Sequence, residues 1–163
     1  MTVTILLGSD SDFPVIEDAL TILREFGVPF ALEVTSAHRS PERTLRLVRE
    51  AEENGAKVFI AVAGKAAHLA GVVAAHTVKP VIGVPVASDS LAGMDALLST
   101  VQMPKGVPVA TVALGSHGGS NAALLAVEIL ALEDSGLRKK LLEYRSAMAA
   151  KVEASAKKIR DRL

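Results

Sequence analysis

The amino-acid sequence predicts an α/β domain in which helices cover both faces of a parallel sheet. Short apolar runs rich in β-branched residues alternate with segments whose apolar residues recur at helical spacing. The 163 residues suit one domain, and 50% of them are hydrophobic while only 3% are aromatic. A core of small aliphatic side chains lets helices lie close to a sheet, as this layered architecture requires.

Strands and helices are expected to alternate along most of the chain. Strands are predicted at residues 2–7, 30–34, 57–62, 80–84 and 107–114. Helices are predicted at residues 14–26, 41–54, from the turn at 63–65 to about 76, within 90–102, and at 121–132. Gly27 and Gly55 should end the first two helices, because glycine readily adopts the left-handed conformation found there. No linker or repeat interrupts this pattern, so we expect residues 1–163 to form a single domain.

Residues 137–163 are predicted to form one long helix with an apolar stripe. Its other faces are rich in Lys, Arg and Glu, and such a stripe needs a surface on which to be buried. We favour packing against a neighbouring subunit, with docking on the chain's own domain as the alternative. The stripe consists of Leu137, Leu141, Tyr144, Met148, Val152 and Ile159.

Charge and composition exclude several classes of function. Eighteen basic residues balance eighteen acidic ones, so no net field favours nucleic acid or an anionic membrane. The chain has no cysteine, which excludes disulfides, thiolate nucleophiles and cysteine-based zinc sites. The first residues lack the pattern of a signal peptide, and no apolar stretch has the length of a membrane span. We therefore expect a cytoplasmic protein.

Three polar turns that follow predicted strands form the expected ligand site, because ligands of open parallel sheets bind at the carboxyl ends of strands. The first turn spans residues 8–12. Its Ser9 and nearby backbone amides are suited to binding a phosphate, and Asp12 is suited to accepting hydrogen bonds from ribose hydroxyls. Simple helix capping by these residues is the alternative. The turn is neither a GxGxxG motif nor a Walker loop, so the sequence does not support nucleoside triphosphate binding.

The other two turns carry groups for anion binding and proton transfer. Arg39 suits phosphate oxygens, and the neighbouring His38 suits proton exchange near neutral pH. Ser40 and Pro41 are expected to cap and start the following helix. In the third turn, Lys65 offers a cation to a phosphate or carboxylate. His68 is a second candidate for proton transfer, with a structural role as the alternative.

The remaining histidines have weaker settings. His76 is expected on a helix in a structural role, and His117 in a mobile glycine-rich loop at residues 115–120, near a ligand or an interface. No Gly-x-Ser-x-Gly elbow indicates a nucleophilic serine. No two histidines have ligand spacing on one element, so we expect no metal. The chain also carries no cofactor motif, so we expect no organic cofactor.

These motifs together resemble the class I N5-carboxyaminoimidazole ribonucleotide mutases, a branch of the phosphoribosylaminoimidazole carboxylase family. The resemblance covers nearly the whole chain. It implies a three-layer, flavodoxin-like fold and a homo-octamer in which the C-terminal helix reaches neighbouring subunits. The matching segments are residues 8–12, 36–39, 67–69, 83–86 and 102–109.

The resemblance also implies roles for the turn residues in purine synthesis. His38 would be the general acid and base at the imidazole ring, and Gly64 and His68 would line the pocket for the migrating carboxylate. Carbon dioxide released from the exocyclic nitrogen would be held beside ring carbon 4, so that proximity favours its recapture. The ribose phosphate would be bound by Ser9, Asp12 and Arg39, with Ser36 shaping the site.

Three features depart from the mutase pattern and keep alternatives open. Lys65 replaces a second glycine, Ala70 replaces a proline, and residues 88–93 look like the class II branch, which carboxylates aminoimidazole ribonucleotide directly with carbon dioxide. His68 favours the mutase, because class II chains generally lack it. A related enzyme acting on another nucleotide and a non-catalytic nucleotide-binding oligomer are the remaining alternatives.

Overall fold

The structure, a computed structural model, describes residues 3–88 and 91–162. Within these residues five parallel strands form one sheet: β1 (Val3–Leu7), β2 (Phe30–Val34), β3 (Val58–Gly64), β4 (Val81–Val86) and β5 (Ala110–Thr111). A 3-10 helix, Asp10–Ile16, precedes the first of the α-helices. The α-helices are α1 (Glu17–Phe26), α2 (Pro41–Glu53), α3 (Leu69–Ala74), α4 (Met94–Val101), α5 (Gly115–Leu130) and α6 (Ser135–Arg160).

The strand order is β2-β1-β3-β4-β5, which is the flavodoxin-like order of a doubly wound sheet. From β1 the chain continues to one edge of the sheet, and from β3 it continues toward the other. The turns after β1 and β3 therefore diverge, and they leave a crevice at the carboxyl end of the sheet, where ligands of such folds bind. The prediction of an α/β fold with a parallel sheet is confirmed.

Helices pack on both faces of the sheet. Gly83 and Val84 are neighbours on β4, so they face opposite sides of the sheet. A methyl group built on Gly83 would meet Ala70 of α3 and Thr100 of α4, whereas Val84 lies against the start of α5 at Gly118. Three layers follow from this arrangement. On the face of the sheet that α3 covers, side chains of the strands, α2 and α3 form a buried apolar cluster. It includes Leu6, Val48, Phe59, Ala61, Val73 and Val81.

The predicted strands differ from the observed ones mainly at the last. β2 has the predicted bounds, but β5 covers only residues 110–111 of the predicted 107–114. Pro108 has no N–H to donate, and β5 is an edge strand that pairs only with β4, which limits the ladder. Residues 2 and 90, which begin a predicted strand and a predicted loop-helix segment, lie outside the described residues.

Two predicted helices begin later than expected. The segment from Pro14 belongs to the 3-10 helix until Ile16, because Ser9 already caps a helical turn that starts at Asp10. The helix after β3 begins only at Leu69, since Lys65 has a left-handed backbone (φ 56°) that an α-helix cannot contain.

The glycine-rich segment 115–120 is helical, so the prediction of a mobile loop carrying His117 is wrong. It forms the first turns of α5. Gly118 and Gly119 are both buried there, and a β-carbon on either would overlap a backbone carbonyl oxygen, of Ala113 and of Val15 respectively. The glycines therefore allow close packing and do not provide flexibility.

We predict that Gly119→Ala destabilises the protein by at least about 2 kcal/mol, because the added methyl group must displace the backbone at Val15. Chemical denaturation measures the effect. Asn121→Ala, an exposed position on the same helix, is the matched control and should change stability by less than about 0.5 kcal/mol. Equal stabilities of the two variants would show that the close approach is not required.

The chain divides into two compact units between Ala126 and Val127. The second unit contains the end of α5 and the whole of α6, with an ion pair between Arg145 and Glu128 at 2.6 Å. The predicted long helix is present over residues 135–160, and Asp134 caps its start by accepting from two backbone N–H groups. Among the described helices, none is both long and apolar enough to span a bilayer.

Candidate active site

A cavity of about 750 Å³ opens at the carboxyl ends of strands β1 to β4. It lies where the turns after β1 and β3 diverge, as the topology of the sheet requires. The three predicted turns meet here. All eight residues predicted for the site line this cavity: Ser9, Asp12, Ser36, His38, Arg39, Gly64, Lys65 and His68.

Two histidines form a hydrogen-bonded pair inside the cavity. His38 Nε2 lies 2.8 Å from His68 Nδ1, and the rings meet edge to face with centroids 4.9 Å apart. One ring must donate and the other accept, so the bond exists only while at least one of the two imidazoles is neutral. His38 follows β2, and His68 lies in the turn between β3 and α3. In the sheet, β1 lies between β2 and β3. The pair therefore bridges the end of β1.

Arg39 is fixed at one side of the cavity by bonds to two turns. Its Nε donates to Ser36 Oγ at 3.3 Å, and its Nη2 donates to the Gly8 carbonyl at 3.4 Å. The Arg39 backbone N–H also donates to Ser36 Oγ, at 3.1 Å. Ser36 thus orients the guanidinium, whose planar donors suit the oxygens of a phosphate.

The Ser40 side chain orders the turn before α2, while its backbone carbonyl accepts from the Thr44 N–H in the first turn of the helix. Ser40 occupies the cap position of α2, but its side chain makes no capping hydrogen bond, contrary to the prediction. Its Oγ instead donates to the Ser36 carbonyl at 3.1 Å and accepts from the Ser36 N–H at 3.2 Å. This closes the turn that carries His38 and Arg39. Pro41 does occupy the first helical turn, as predicted.

The first turn combines helix capping with a position in the cavity. Ser9 Oγ accepts from the Ser11 N–H at 3.3 Å, and Asp12 Oδ2 accepts from the Ser9 N–H at 3.1 Å. Both residues face the cavity, so capping orders the groups that a ligand would meet. Asp12 is only 8% exposed. This burial raises the pKa of its carboxyl above the ordinary 3.8, the Ser9 N–H opposes the shift, and the negative charge of Asp10 adds to it.

We predict that Asp12→Asn leaves the protein at least as stable as the wild type at about pH 7. Because the folded state binds the Asp12 proton more tightly than the unfolded state, ionisation costs stability. That cost appears as pH rises through 3.8 and is complete above the raised pKa of the folded state.

Denaturation midpoints at about pH 7 and about pH 3 test this prediction. Asparagine can still accept from the Ser9 N–H, so capping is preserved. The stability difference should favour the variant at the higher pH and shrink at the lower one. A variant that loses stability relative to the wild type as pH rises would contradict the assigned pKa direction.

The third turn contains Gly64, where the backbones of two strands lie close together, and the exposed cation Lys65. A β-carbon on Gly64 would lie 3.2 Å from the Val86 carbonyl oxygen, so glycine lets β3 and β4 run side by side to their ends. Lys65 is exposed and lines the cavity. The other two histidines are not among the lining residues. His76 follows α3, with Nδ1 2.8 Å from the Val72 carbonyl, and His117 is exposed on α5.

Sequence reasoning missed the contribution of β4 to the cavity. Val86, Ala87 and Ser88 line its far side, because the pairing of Gly64 with Val86 places the ends of β3 and β4 together. Ser88 Oγ donates to Asp95 Oδ2 at 3.2 Å, which ties this wall to the start of α4. β4 continues past the predicted end at Val84 through Pro85 to Val86, and no local pattern reveals the register that places Val86 beside Gly64.

A doubly wound sheet with a fixed arginine and an imidazole pair at its switch point defines an α/β domain equipped for proton transfer on an anionic ligand. A family model described as AIR carboxylase matches residues 2–151. The chain belongs to this AIR carboxylase family.

Curated relatives and solved structures agree with this assignment. The chain is 55% identical to an N5-carboxyaminoimidazole ribonucleotide mutase of Methanocaldococcus jannaschii, over 98% of both chains. It is 49% identical to the mutase of Escherichia coli K12, over 92% of this chain and 89% of the relative. A crystal structure of Treponema denticola PurE superposes with a TM-score of 0.86 at 33% identity, over 94% of both chains.

Proposed function

We propose that this chain is an N5-carboxyaminoimidazole ribonucleotide mutase of purine biosynthesis. It converts N5-carboxyaminoimidazole ribonucleotide to 4-carboxy-5-aminoimidazole ribonucleotide by moving the carboxyl group. The observation that carries the proposal is the His38–His68 hydrogen bond in a cavity that Arg39 also lines. The mutase names of the relatives support the same reaction.

The substrate is anchored by its phosphate end. Arg39 is already oriented by Ser36, so it binds phosphate oxygens with little further ordering of its side chain. Ser9 adds a hydroxyl, and Asp12 accepts from a ribose hydroxyl. These contacts hold the heterocycle toward the histidine pair.

The carboxyl group then moves in four bond changes. The bond from the exocyclic nitrogen to the carboxyl carbon breaks and carbon dioxide is released into the cavity. Ring carbon 4 attacks it and forms the new carbon–carbon bond. The proton on carbon 4 passes to His38, and a proton returns to the exocyclic nitrogen, so atoms and charges balance. Holding both fragments together replaces a bimolecular encounter.

His68 acts with His38 in this proton transfer. Their 2.8 Å bond fixes the orientation of the His38 ring and gives the proton a partner within reach. Gly64 leaves room for the carboxyl group beside β4. Direct carboxylation of aminoimidazole ribonucleotide, a lyase-type reaction, is the second candidate, because Lys65 and residues 88–93 resemble that branch.

A labelling experiment separates the two reactions. N5-carboxyaminoimidazole ribonucleotide labelled with ¹³C in its carboxyl group is offered in unlabelled bicarbonate buffer, with His38→Asn as the background control. A mutase retains the label in the product. A carboxylase that draws on free carbon dioxide gives product in which the label is diluted to the level of the buffer. Product formation equal to that of the control would reject both enzymes in favour of a binding protein.

We also propose a cytoplasmic homo-octamer in which residues 1–163 act as one catalytic domain. The stripe on α6 supports assembly: Leu141 is buried, but Met148, Val152 and Ile159 are 51%, 67% and 57% exposed. α4 and the turn before it carry a second exposed apolar stripe. Its residues are Met94, Leu98 and Val101 on the helix and Leu91 in the turn. Sedimentation of the purified protein tests the octamer.

A further inference from the structure

Lys65 adopts a backbone conformation that disfavours any side chain. Its φ is 56°, and within the described residues only one other non-glycine, Ala92, has a positive φ. In this region the β-carbon of an L-residue crowds the following carbonyl oxygen, which costs roughly 1–2 kcal/mol. A glycine would make the same turn without this strain, so the lysine side chain must serve a purpose here.

The strained turn also sets the position of His68. The Ala67 N–H donates to the Lys65 carbonyl at 2.9 Å, and the His68 N–H donates to the Ala66 carbonyl at 2.7 Å. These tight turns carry the chain from the end of β3 to the histidine that pairs with His38. Lys65 is thereby held close in sequence and space to the imidazole pair.

The charges that line the cavity are divided between its two sides. Arg39 and Lys65 are the cations among the described lining residues, and Asp12 is the anion. Arg39 is bound to the turns after β1 and β2. Lys65 follows β3, and none of the described residues forms an ion pair with its ammonium group. One cation therefore lies at the ends of β1 and β2, and the other at the end of β3, in the turn that leads to His68.

We propose that Lys65 binds the migrating carboxylate, as a specificity-determining residue that favours carboxylated ribonucleotides over the uncarboxylated one. The proposal rests on the proposed function, in which the ligand bears a phosphate at one end and a carboxylate at the other. Two anionic groups then face two cations across the histidine pair. Because substrate and product both carry the carboxylate, Lys65 strengthens the binding of both.

The test compares two ligands with two variants. Dissociation constants are measured by calorimetry for 4-carboxy-5-aminoimidazole ribonucleotide and for 5-aminoimidazole ribonucleotide, which lacks the carboxyl group. Lys65→Met removes the charge but keeps the strain, and Lys65→Gly removes both. Lys105→Met, at an exposed lysine that is not among the lining residues, is the control.

Both Lys65 variants should bind the carboxylated ligand roughly 10-fold more weakly and the uncarboxylated one less than about 2-fold more weakly. Lys65→Gly should also raise the thermal midpoint by about 2 °C over Lys65→Met, since the strain is gone. The control should bind both ligands as the wild type does.

Two results would overturn the proposal. If both ligands bind more weakly by the same factor, Lys65 contacts the phosphate and not the carboxylate. If both bind as they do to the wild type, Lys65 contacts neither group. A wild-type protein that binds neither ribonucleotide would instead reject the proposed function, and the Lys65 assignment with it. The wild-type measurement therefore separates failure of the inference from failure of the function.

Discussion

His38→Asn should lower the turnover number by about 10²–10⁴-fold while the ribonucleotide still binds. Asparagine keeps a polar group near the position of the imidazole Nδ1. It does not extend to the position of Nε2, which contacts His68, and it cannot take up the proton from ring carbon 4. The phosphate contacts proposed for Arg39 and Ser9 do not involve the His38 side chain. Single-turnover kinetics with N5-carboxyaminoimidazole ribonucleotide, together with a dissociation constant for the product, separate chemistry from binding.

His76→Asn is the control for this prediction. His76 is bonded to the Val72 carbonyl and is not among the residues that line the cavity. Its replacement should leave turnover within about twofold of the wild type, as expected for an exposed side chain away from the site. Full turnover in His38→Asn would remove that residue from the mechanism and leave His68 as the sole imidazole to be considered.

Arg39→Gln should raise the KM roughly 10–100-fold with a much smaller change in the turnover number. A hydrogen bond to a charged group contributes about 1.5–3 kcal/mol, and the phosphate remains bound throughout the reaction. The lost interaction therefore affects substrate and transition state alike. Steady-state kinetics over a wide range of substrate concentration measure both constants.

Arg43→Gln is the matched control, because Arg43 lies four residues further along and is not among the residues that line the cavity. It pairs with Glu33 at 2.9 Å and donates to the Val34 carbonyl at 3.1 Å. Its loss should leave the KM nearly unchanged. A KM that rises equally in the two variants would show that the effect of Arg39 is a general loss of positive charge.

Three strands, β1, β3 and β4, were predicted well because they are buried apolar runs that local patterns reveal. The bounds of β2 are those predicted, and α2 ends at the residue before Asn54. Polar turns at strand ends also had a physical reason to meet, since parallel strands present their carboxyl ends on one edge. The site residues were therefore found from the turns, although they are far apart in sequence.

Features that depend on tertiary contacts were missed or misjudged. The histidine pair joins residues 30 positions apart across the end of β1, which no local pattern encodes. In the sequence, Gly118 and Gly119 suggest a flexible loop. In the structure, the carbonyl groups of Ala113 and Val15 lie so close to them that a side chain would not fit. The left-handed turn at Lys65 was likewise hidden, because lysine carries no propensity for it.

The placement of the heterocycle beside His38 is the central claim, and a crystal structure of His38→Asn with bound 4-carboxy-5-aminoimidazole ribonucleotide tests it most directly. The account predicts the phosphate within hydrogen-bonding distance of Arg39 and Ser9, with ring carbon 4 facing residue 38 and His68. A nucleotide bound in the reverse orientation, or outside this cavity, would contradict it.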